Sequence, residues 1–303
     1  MDKYIITGVS GFIGSHFLDC LPNSHVLGIY HQNPPPTRPS DARIYTRHDL
    51  TTPLNNKLPI ANDSPVVIHC AAYPHINKCE VERNLGRESL AWKGNVVATQ
   101  NVIDYCKKFK KKLVLLSTEC VFSGEKESYT ETDKKNPNNW YGYTKSVAED
   151  LVVNSGISDF LIVRGVVAYG QDGVGNNIIQ GLVNNLVYKG KTKAVIDQKI
   201  SFTYIDDITK GILALIKNNS SGIFHIAGSQ IATPYELALK MCRRLKIALN
   251  KVKPVTMVDF FGSDEAKLRL KNAVLNAQKF LETTGRKTVS LDEGIEKIFL
   301  RYP

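Results

Sequence analysis

The sequence predicts an α/β fold in which a doubly wound, mostly parallel sheet is joined to a smaller C-terminal lobe. Short apolar runs alternate with longer amphipathic stretches through the first half of the 303 residues. The short runs are apolar throughout rather than at every second position, as strands buried on both faces require. The first run ends in a glycine-rich turn that opens a helix, which is how such sheets begin a βαβ unit.

Tyr4–Thr7 reads as the first strand and Phe12–Leu21 as the helix after it. Val26–Tyr30 is the next strand, and Pro34-Pro35-Pro36 with Pro39 marks an irregular loop beyond it. Val66–Cys70, Leu113–Ser117 and Phe160–Arg164 read as further strands, separated by helices at Glu88–Phe109 and Tyr141–Ser155. After Tyr169 the pattern loosens. Asn176–Tyr188 reads as helical, and Ser201–Tyr204 and Ile223–Ala227 as strands. Pro234–Leu245 reads as a helix with Pro234 in its first turn and Thr233 as N-cap. Residues 1–168 are therefore expected to form the sheet domain, completed by segments around 201–228. Residues 169–303 are expected to form mainly the smaller lobe.

Apolar content of 43% and charged content of 22% place the chain among globular proteins. A formal net charge of +10 suits an anionic ligand such as a dinucleotide or sugar nucleotide, and equally nucleic acid. The densest basic run, Lys107-Lys108-Phe109-Lys110-Lys111-Lys112, closes a helical pattern, where cations complement the helix dipole. It reads as a solvated helix end, so no nucleic-acid partner is expected. The six cysteines, Cys20, Cys70, Cys79, Cys106, Cys120 and Cys242, form no CxxC and no Cys/His spacing suited to zinc. Neither a metal site nor a disulfide framework is expected, which suits a reducing compartment. No apolar run approaches the roughly 18 residues of a membrane span, and no signal-peptide pattern is present. The expected location is the cytoplasm, without membrane association.

Gly8-Val9-Ser10-Gly11-Phe12-Ile13-Gly14 joins the first strand to the first helix. Glycines at this spacing permit the tight turn and let the backbone approach a pyrophosphate, which the helix N-terminus stabilises. Gly8, Ser10, Gly11, Phe12, Ile13 and Gly14 are thus candidate cofactor-binding residues in a Rossmann-type dinucleotide domain. An Asp or Glu at the end of the second strand would accept from the ribose hydroxyls of NAD. Here that strand ends Ile29-Tyr30-His31-Gln32, with no acid and with Arg38 and Arg43 downstream. Cations at His31 and these arginines would suit a 2′-phosphate, so NADP(H) is expected in preference to NAD(H).

Tyr141 and Lys145 are four residues apart, on one face of a helix. A phenol titrates near 10, too high for acid–base work at neutral pH. An adjacent ammonium and an oxidised nicotinamide would lower it, and Tyr141 could then exchange a proton with a carbonyl or alcohol oxygen. Leu113–Ser117 ends in Ser117-Thr118, which puts a hydroxyl at the strand C-termini, where such sheets bind ligands. Thr118 would donate to the substrate oxygen. A strand-end hydroxyl also serves as a turn former, but the three elements occur together and in the expected order.

At this point the residues resemble the extended short-chain dehydrogenases/reductases, and within them the dTDP-4-dehydrorhamnose reductase-like proteins. The likeness rests on Gly8–Gly14, Cys70-Ala71-Ala72-Tyr73, Asn95, the run Leu116–Gly124, Tyr129-Thr130-Glu131 and Pro137–Lys145. It continues through Tyr169-Gly170, Ile226-Ala227-Gly228 and Arg269-x-x-Asn272-x-x-Leu275. The resemblance implies Thr118, Tyr141 and Lys145 as catalytic residues, with Lys145 holding the nicotinamide ribose. It also implies Asp49 and Leu50 near the adenine, Ala71 and Ala72 on the cofactor wall, and Asn177 and Arg269 as nucleotide-sugar contacts. Glu119 stands where that subfamily usually has Asp. The Asp-Glu pair of the related dehydratases is missing from Thr118-Glu119-Cys120, which disfavours dehydration.

The function so implied is NAD(P)H-dependent reduction of a 4-keto group on a nucleotide-activated deoxysugar. A nucleotide-sugar 4-epimerase uses the same groups, and a non-catalytic NADP-binding regulatory subunit shares the fold. A nucleotide sugar is the expected partner molecule. A homodimer is the commonest default assembly.

Overall fold

Strands β1 (Lys3–Thr7), β2 (His25–Tyr30), β3 (Arg43–Arg47), β4 (Val66–His69), β5 (Lys112–Thr118) and β6 (Phe160–Gly165) form the body of a central parallel sheet. They were located in a computed structural model that describes residues 3–21, 25–35, 43–54, 64–170 and 177–300. Short strands β7 (Ala168–Tyr169), β8 (Thr192–Val195), β9 (Lys199–Ile200) and β10 (Thr203–Tyr204) follow. Then β11 (Gly222–Ile226) joins β6 and completes the central sheet, which has seven strands in the order β11-β6-β5-β4-β1-β2-β3. Strands β12 (Val252–Val255) and β13 (Asn272–Ala273) pair with β8 and β9 in two-stranded sheets. The order reverses beside β1, and crossovers of this kind open a crevice at the strand C-termini.

The helices are α1 (Phe12–Cys20), α2 (Ile76–Val81), α3 (Leu90–Trp92), α4 (Ala98–Lys108), α5 (Trp140–Val153) and α6 (Ile178–Val183). After them come α7 (Ile205–Lys217), α8 (Pro234–Arg244), α9 (Met257–Phe261), α10 (Ser263–Lys267), α11 (Gln278–Thr284) and α12 (Leu291–Leu300). Successive strand residues point to opposite faces, and both faces are apolar. Ile6, Val114, Leu161 and Val163 pack with Phe17 of α1, Ile208 and Ile212 of α7 and Phe280 of α11. Ile5, Leu113, Leu115 and Ile162 pack on the other face with Val102 and Cys106 of α4 and Ala148 and Val152 of α5. A third core joins Tyr169, Phe202 and Tyr204 to α8 and α12 through Leu237, Met241, Leu291 and Ile295.

Several expectations need correction. Of Ser201–Tyr204 only Thr203–Tyr204 is strand, and it pairs with β7 outside the central sheet. The stretch read as one helix over Glu88–Phe109 is composite. A 3₁₀ turn ends at Glu88, Ser89 caps α3, and Lys93–Val97 is π-helical before α4. The helix read over 176–188 begins at Ile178 and finishes in a π-helical turn, Asn184–Tyr188. The basic run is not all solvated. Lys107 and Lys108 end α4 as expected, but Lys111 and Lys112 are buried. Lys111 donates to the Ser64 carbonyl at 2.6 Å, and Lys112 donates to the Ser220 carbonyl at 2.7 Å and pairs with Asp159. These two cations tie together the ends of neighbouring strands, and buried ammonium groups require such partners. The six cysteines are free thiols, and among the described residues no helix is long and apolar enough to cross a membrane.

Candidate active site

The strand C-termini open into a cleft of about 1260 Å³. Gly8, Ser10, Gly11, Phe12, Ile13 and Gly14 line one end of it, with His31, Asp49, Leu50, Ala71 and Ala72. Thr118, Glu119, Tyr141 and Lys145 line the same cleft. Residues separated by more than a hundred positions in the chain thus share one wall system.

The glycine turn is built for close approach. Gly8 has φ 66°, a left-handed conformation, and a Cβ there would lie 2.7 Å from Ala71 Cα. A Cβ on Gly14 would lie 2.1 Å from the Gly8 carbonyl oxygen. Helix α1 starts with no side-chain cap and no acid in its first turn, so its leading N–H groups and dipole face the cleft unneutralised. A dinucleotide pyrophosphate fits this cradle by size and charge.

Beside it, His69 is buried between two hydroxyls. Its Nδ1 lies 2.6 Å from Thr7 Oγ1 and its Nε2 lies 3.2 Å from Thr99 Oγ1. Thr99 donates its own proton to the Asn95 carbonyl at 2.6 Å, so it accepts from His69 Nε2. Thr7 accepts from the Ala71 N–H at 3.3 Å and donates to Nδ1. One neutral tautomer satisfies every partner. Burial, then the Lys145 charge, pushes the imidazole pKa down to about 3. Asn95 supports the adjoining wall by accepting from the Tyr73 N–H at 2.7 Å and donating to Thr144 Oγ1 at 2.9 Å.

Beyond the ends of β2 and β3, His31 Nε2 lies 3.8 Å from Asp49 Oδ2. The sequence reading put no carboxylate near His31, because Asp49 lies eighteen positions away and becomes its neighbour only through the sheet. Arg43 faces elsewhere, its Nη2 donating to the Leu18 carbonyl at 2.7 Å. Arg47, on a strand the sequence reading did not include, donates from Nε to the His31 carbonyl at 3.0 Å. Arg38 lies outside the described residues.

At the other end, Asn139 caps α5 by accepting from the Gly142 N–H at 2.7 Å. Tyr141 and Lys145 project from the first two turns of that helix. The Tyr141 ring and the Thr118 side chain line the same cleft. The Tyr141 phenol is held well above the usual range by burial, then by Cys120 and Glu119, with Thr118 opposing. The lowering expected from Lys145 is not seen. Lys145 Nζ donates to the Leu116 carbonyl at 2.7 Å, and burial pulls its own pKa down to about 8 against the charge of Glu149. The phenol is therefore a retained proton, suited to an acid.

Behind these residues lies a buried ionic cluster the sequence reading missed. Arg164 Nε and Nη2 donate to Glu149 Oε1 and Oε2 at 2.9 and 2.7 Å. Ser117 donates to Glu149 Oε1 at 2.5 Å, and Lys135 Nζ is 3.6 Å from Oε2. Glu149 stands one helical turn beyond Lys145, a spacing visible in the sequence.

Of the three expected substrate contacts, Thr118 lines the cleft, while Asn177 and Arg269 fall outside its walls. Asn177 caps α6, accepting from the Gln180 N–H at 3.1 Å and donating to the Gly170 carbonyl at 3.2 Å. Arg269 Nη2 donates to Asn77 Oδ1 at 2.5 Å, its guanidinium lies 5.0 Å over the Phe261 ring, and its buried Nη1 has no hydrogen-bond partner.

With this geometry in hand, the comparisons are specific. The family model described as the RmlD substrate binding domain matches residues 2–302. A dTDP-4-keto-6-deoxy-D-glucose reductase from Streptomyces niveus is 29% identical over 260 residues, 84% of this chain and 82% of that protein. A dTDP-4-dehydrorhamnose reductase from Mycobacterium tuberculosis is 25% identical over 265 residues, covering 86% and 81%. The crystal structure of the dTDP-4-dehydrorhamnose reductase from Bacillus anthracis in complex with NADP superposes with a TM-score of 0.80 at 26% identity. It covers 99% of each chain.

Proposed function

This chain belongs to the RmlD substrate binding domain family, and from that membership we propose that it reduces a 4-keto group on a nucleotide-activated deoxysugar. The observation that carries the reading is the meeting of Thr118, Tyr141 and Lys145 in the cleft that the glycine cradle opens. A bound nicotinamide dinucleotide supplies the hydride.

In this reading Gly8, Gly11 and Gly14 leave room for the pyrophosphate, and the N-terminus of α1 stabilises its charge. Leu50, Ala71 and Ala72 form apolar walls along it, and Thr7, held by His69, accepts from the Ala71 N–H. Tyr141 holds the proton that goes to the developing alkoxide, and its raised pKa keeps that proton in place until an oxygen arrives. Lys145, with Nζ placed by the Leu116 carbonyl, holds the nicotinamide ribose. Thr118 donates to the same oxygen. The thymidine nucleotide in the names of the relatives is the proposed activating group.

NADP(H) is the proposed carrier. The second strand ends without an acid, and Arg47 reaches the His31 carbonyl. Asp49 beside His31 works against a 2′-phosphate, so the ratio of kcat/KM for NADPH and NADH is the direct check. Equal or inverted values would remove the preference and leave the chemistry intact.

The main test supplies a 4-keto sugar nucleotide and follows net NADPH consumption. Tyr141→Phe is expected to reduce turnover by about 10²–10⁴ while cofactor still binds. Interconversion of sugars with no net cofactor change would identify an epimerase. Unaltered function of the Tyr141→Phe protein in complex with a stoichiometric enzyme partner would identify a regulatory subunit.

A further inference from the structure

Two groups hold one hydroxyl. Thr118 Oγ1 donates to Glu119 Oε2 at 2.8 Å and accepts from the Cys120 N–H at 3.2 Å. The Tyr141 side chain lines the same cleft. A threonine carries a single donatable proton. While Glu119 is ionised that proton is committed to the carboxylate, and no donor remains for an oxygen in the cleft.

Glu119 is only 8% exposed and yet lines the cleft. Among the described residues it forms no ion pair, and its carboxylate accepts from Thr118 Oγ1. The other titratable groups around this point are the Tyr141 phenol and Lys145 on α5 and the Cys79 thiol on α2. Arg269 faces Cys120 from the C-terminal lobe. A carboxyl buried without a cation favours its neutral form, and burial does push Glu119 upward.

We propose that Glu119 is a positioning residue whose protonation state decides where the Thr118 proton points. When neutral, Glu119 donates to Thr118 Oγ1, and the threonine proton turns to the substrate oxygen beside Tyr141. When ionised, it draws that proton away. The inference rests on the reductase reading of the same site and adds a residue and a pH-dependent state to it. It also gives the longer side chain a purpose, since the carboxyl curls back to reach the hydroxyl of its own neighbour.

The test compares pH profiles of kcat/KM for the unaltered chain, Glu119→Gln and Tyr141→Phe with a 4-keto sugar nucleotide and NADPH. A glutamine amide donates to Thr118 at every pH. Glu119→Gln is therefore expected to retain turnover at low pH and to shift the alkaline limb of the profile upward by about one pH unit or more. Infrared difference spectra against Glu119→Gln, taken without substrate, are expected to show a protonated carboxyl in the unaltered chain that ionises along the same limb. Glu119→Asp serves as the spectral reference if the glutamine variant folds poorly. An unmoved limb, or no protonated carboxyl on the low-pH side of the limb, overturns the inference. Provided Tyr141→Phe is inactive, that result leaves the reductase reading standing. Full turnover in Tyr141→Phe overturns the reading itself.

Discussion

Arg164→Met isolates the buried ion pair behind the active site. Arg164 and Glu149 are 2% and 1% exposed and meet through two parallel hydrogen bonds. Removing one partner of a buried pair leaves an uncompensated charge, which typically costs 3–5 kcal/mol. Ser117 and Lys135 still reach Glu149, so the lower end, about 3 kcal/mol, is expected. For a chain of this length that corresponds to roughly 5 °C in Tm. The pH dependence should change sign as well. Burial tends to raise Glu149, but the Arg164 hydrogen bonds and charge, with Ser117, override it and hold the carboxyl below 4.5. Its contribution is present above that value and is lost as pH falls through the depressed pKa. Without Arg164 the carboxyl moves above 4.5, and its ionisation destabilises the fold as pH rises. Urea denaturation at several pH values measures both effects. Adding Glu149→Gln to Arg164→Met should recover part of the loss, since a neutral pair carries no stranded charge. A cost below about 1 kcal/mol for Arg164→Met, or a double variant as unstable as the sum of the singles, would refute the reasoning.

Two further outcomes concern the frame of the site. His69 and His225 are buried neutral, both pushed down to about 3 by burial and then by Lys145 and Arg164 respectively. Each unfolded imidazole takes a proton near 6.5, so stability is whole above 6.5 and lost as pH falls toward 3. The expected slope is about 1.4 kcal/mol per pH unit for each histidine, and His69→Gln should remove one proton's share from denaturation curves between pH 6 and 4. Gly14→Ala would set a methyl 2.1 Å from the Gly8 carbonyl. It should open the first turn of α1 and weaken dinucleotide affinity, read by calorimetric titration, more than it lowers Tm.

The sheet was readable where local chemistry and tertiary packing agree. Ile5, Ile6, Val67 and Ile68 are apolar on both faces because helices cover both faces, and β1, β2, β4, β5, β6 and β11 follow from that. Strand β3 was not readable: Arg-Ile-Tyr-Thr-Arg is a half-exposed sheet edge with no buried run. Helix α7 goes unread although Ile205, Ile208, Ile212 and Leu215 recur at helical spacing. Thr118, Tyr141 and Lys145 line one cleft because helix period and strand end place them there largely independently of the rest of the fold. The Asp49–His31 approach, the Arg47 clasp and the Arg164–Glu149 pair depend on strand order and register, which no local pattern encodes. The roles expected of Asn177 and Arg269 came from resemblance alone, and here Asn177 spends its amide on a helix cap.

Asn139 gives the catalytic helix an unusual dependence. While its oxygen caps the first turn, its Nδ2 donates at 3.0 Å to the carbonyl of Leu268, and Asn138 Nδ2 grips the neighbouring Lys267 carbonyl at 3.1 Å. The phenol is thus anchored through one amide to a stretch of chain 129 positions away that leads into Arg269. Any ligand that displaces the 267–269 stretch tugs on the start of the helix carrying Tyr141. Two stretches remote in sequence are thereby fastened side by side, and the start of α5 cannot shift without them.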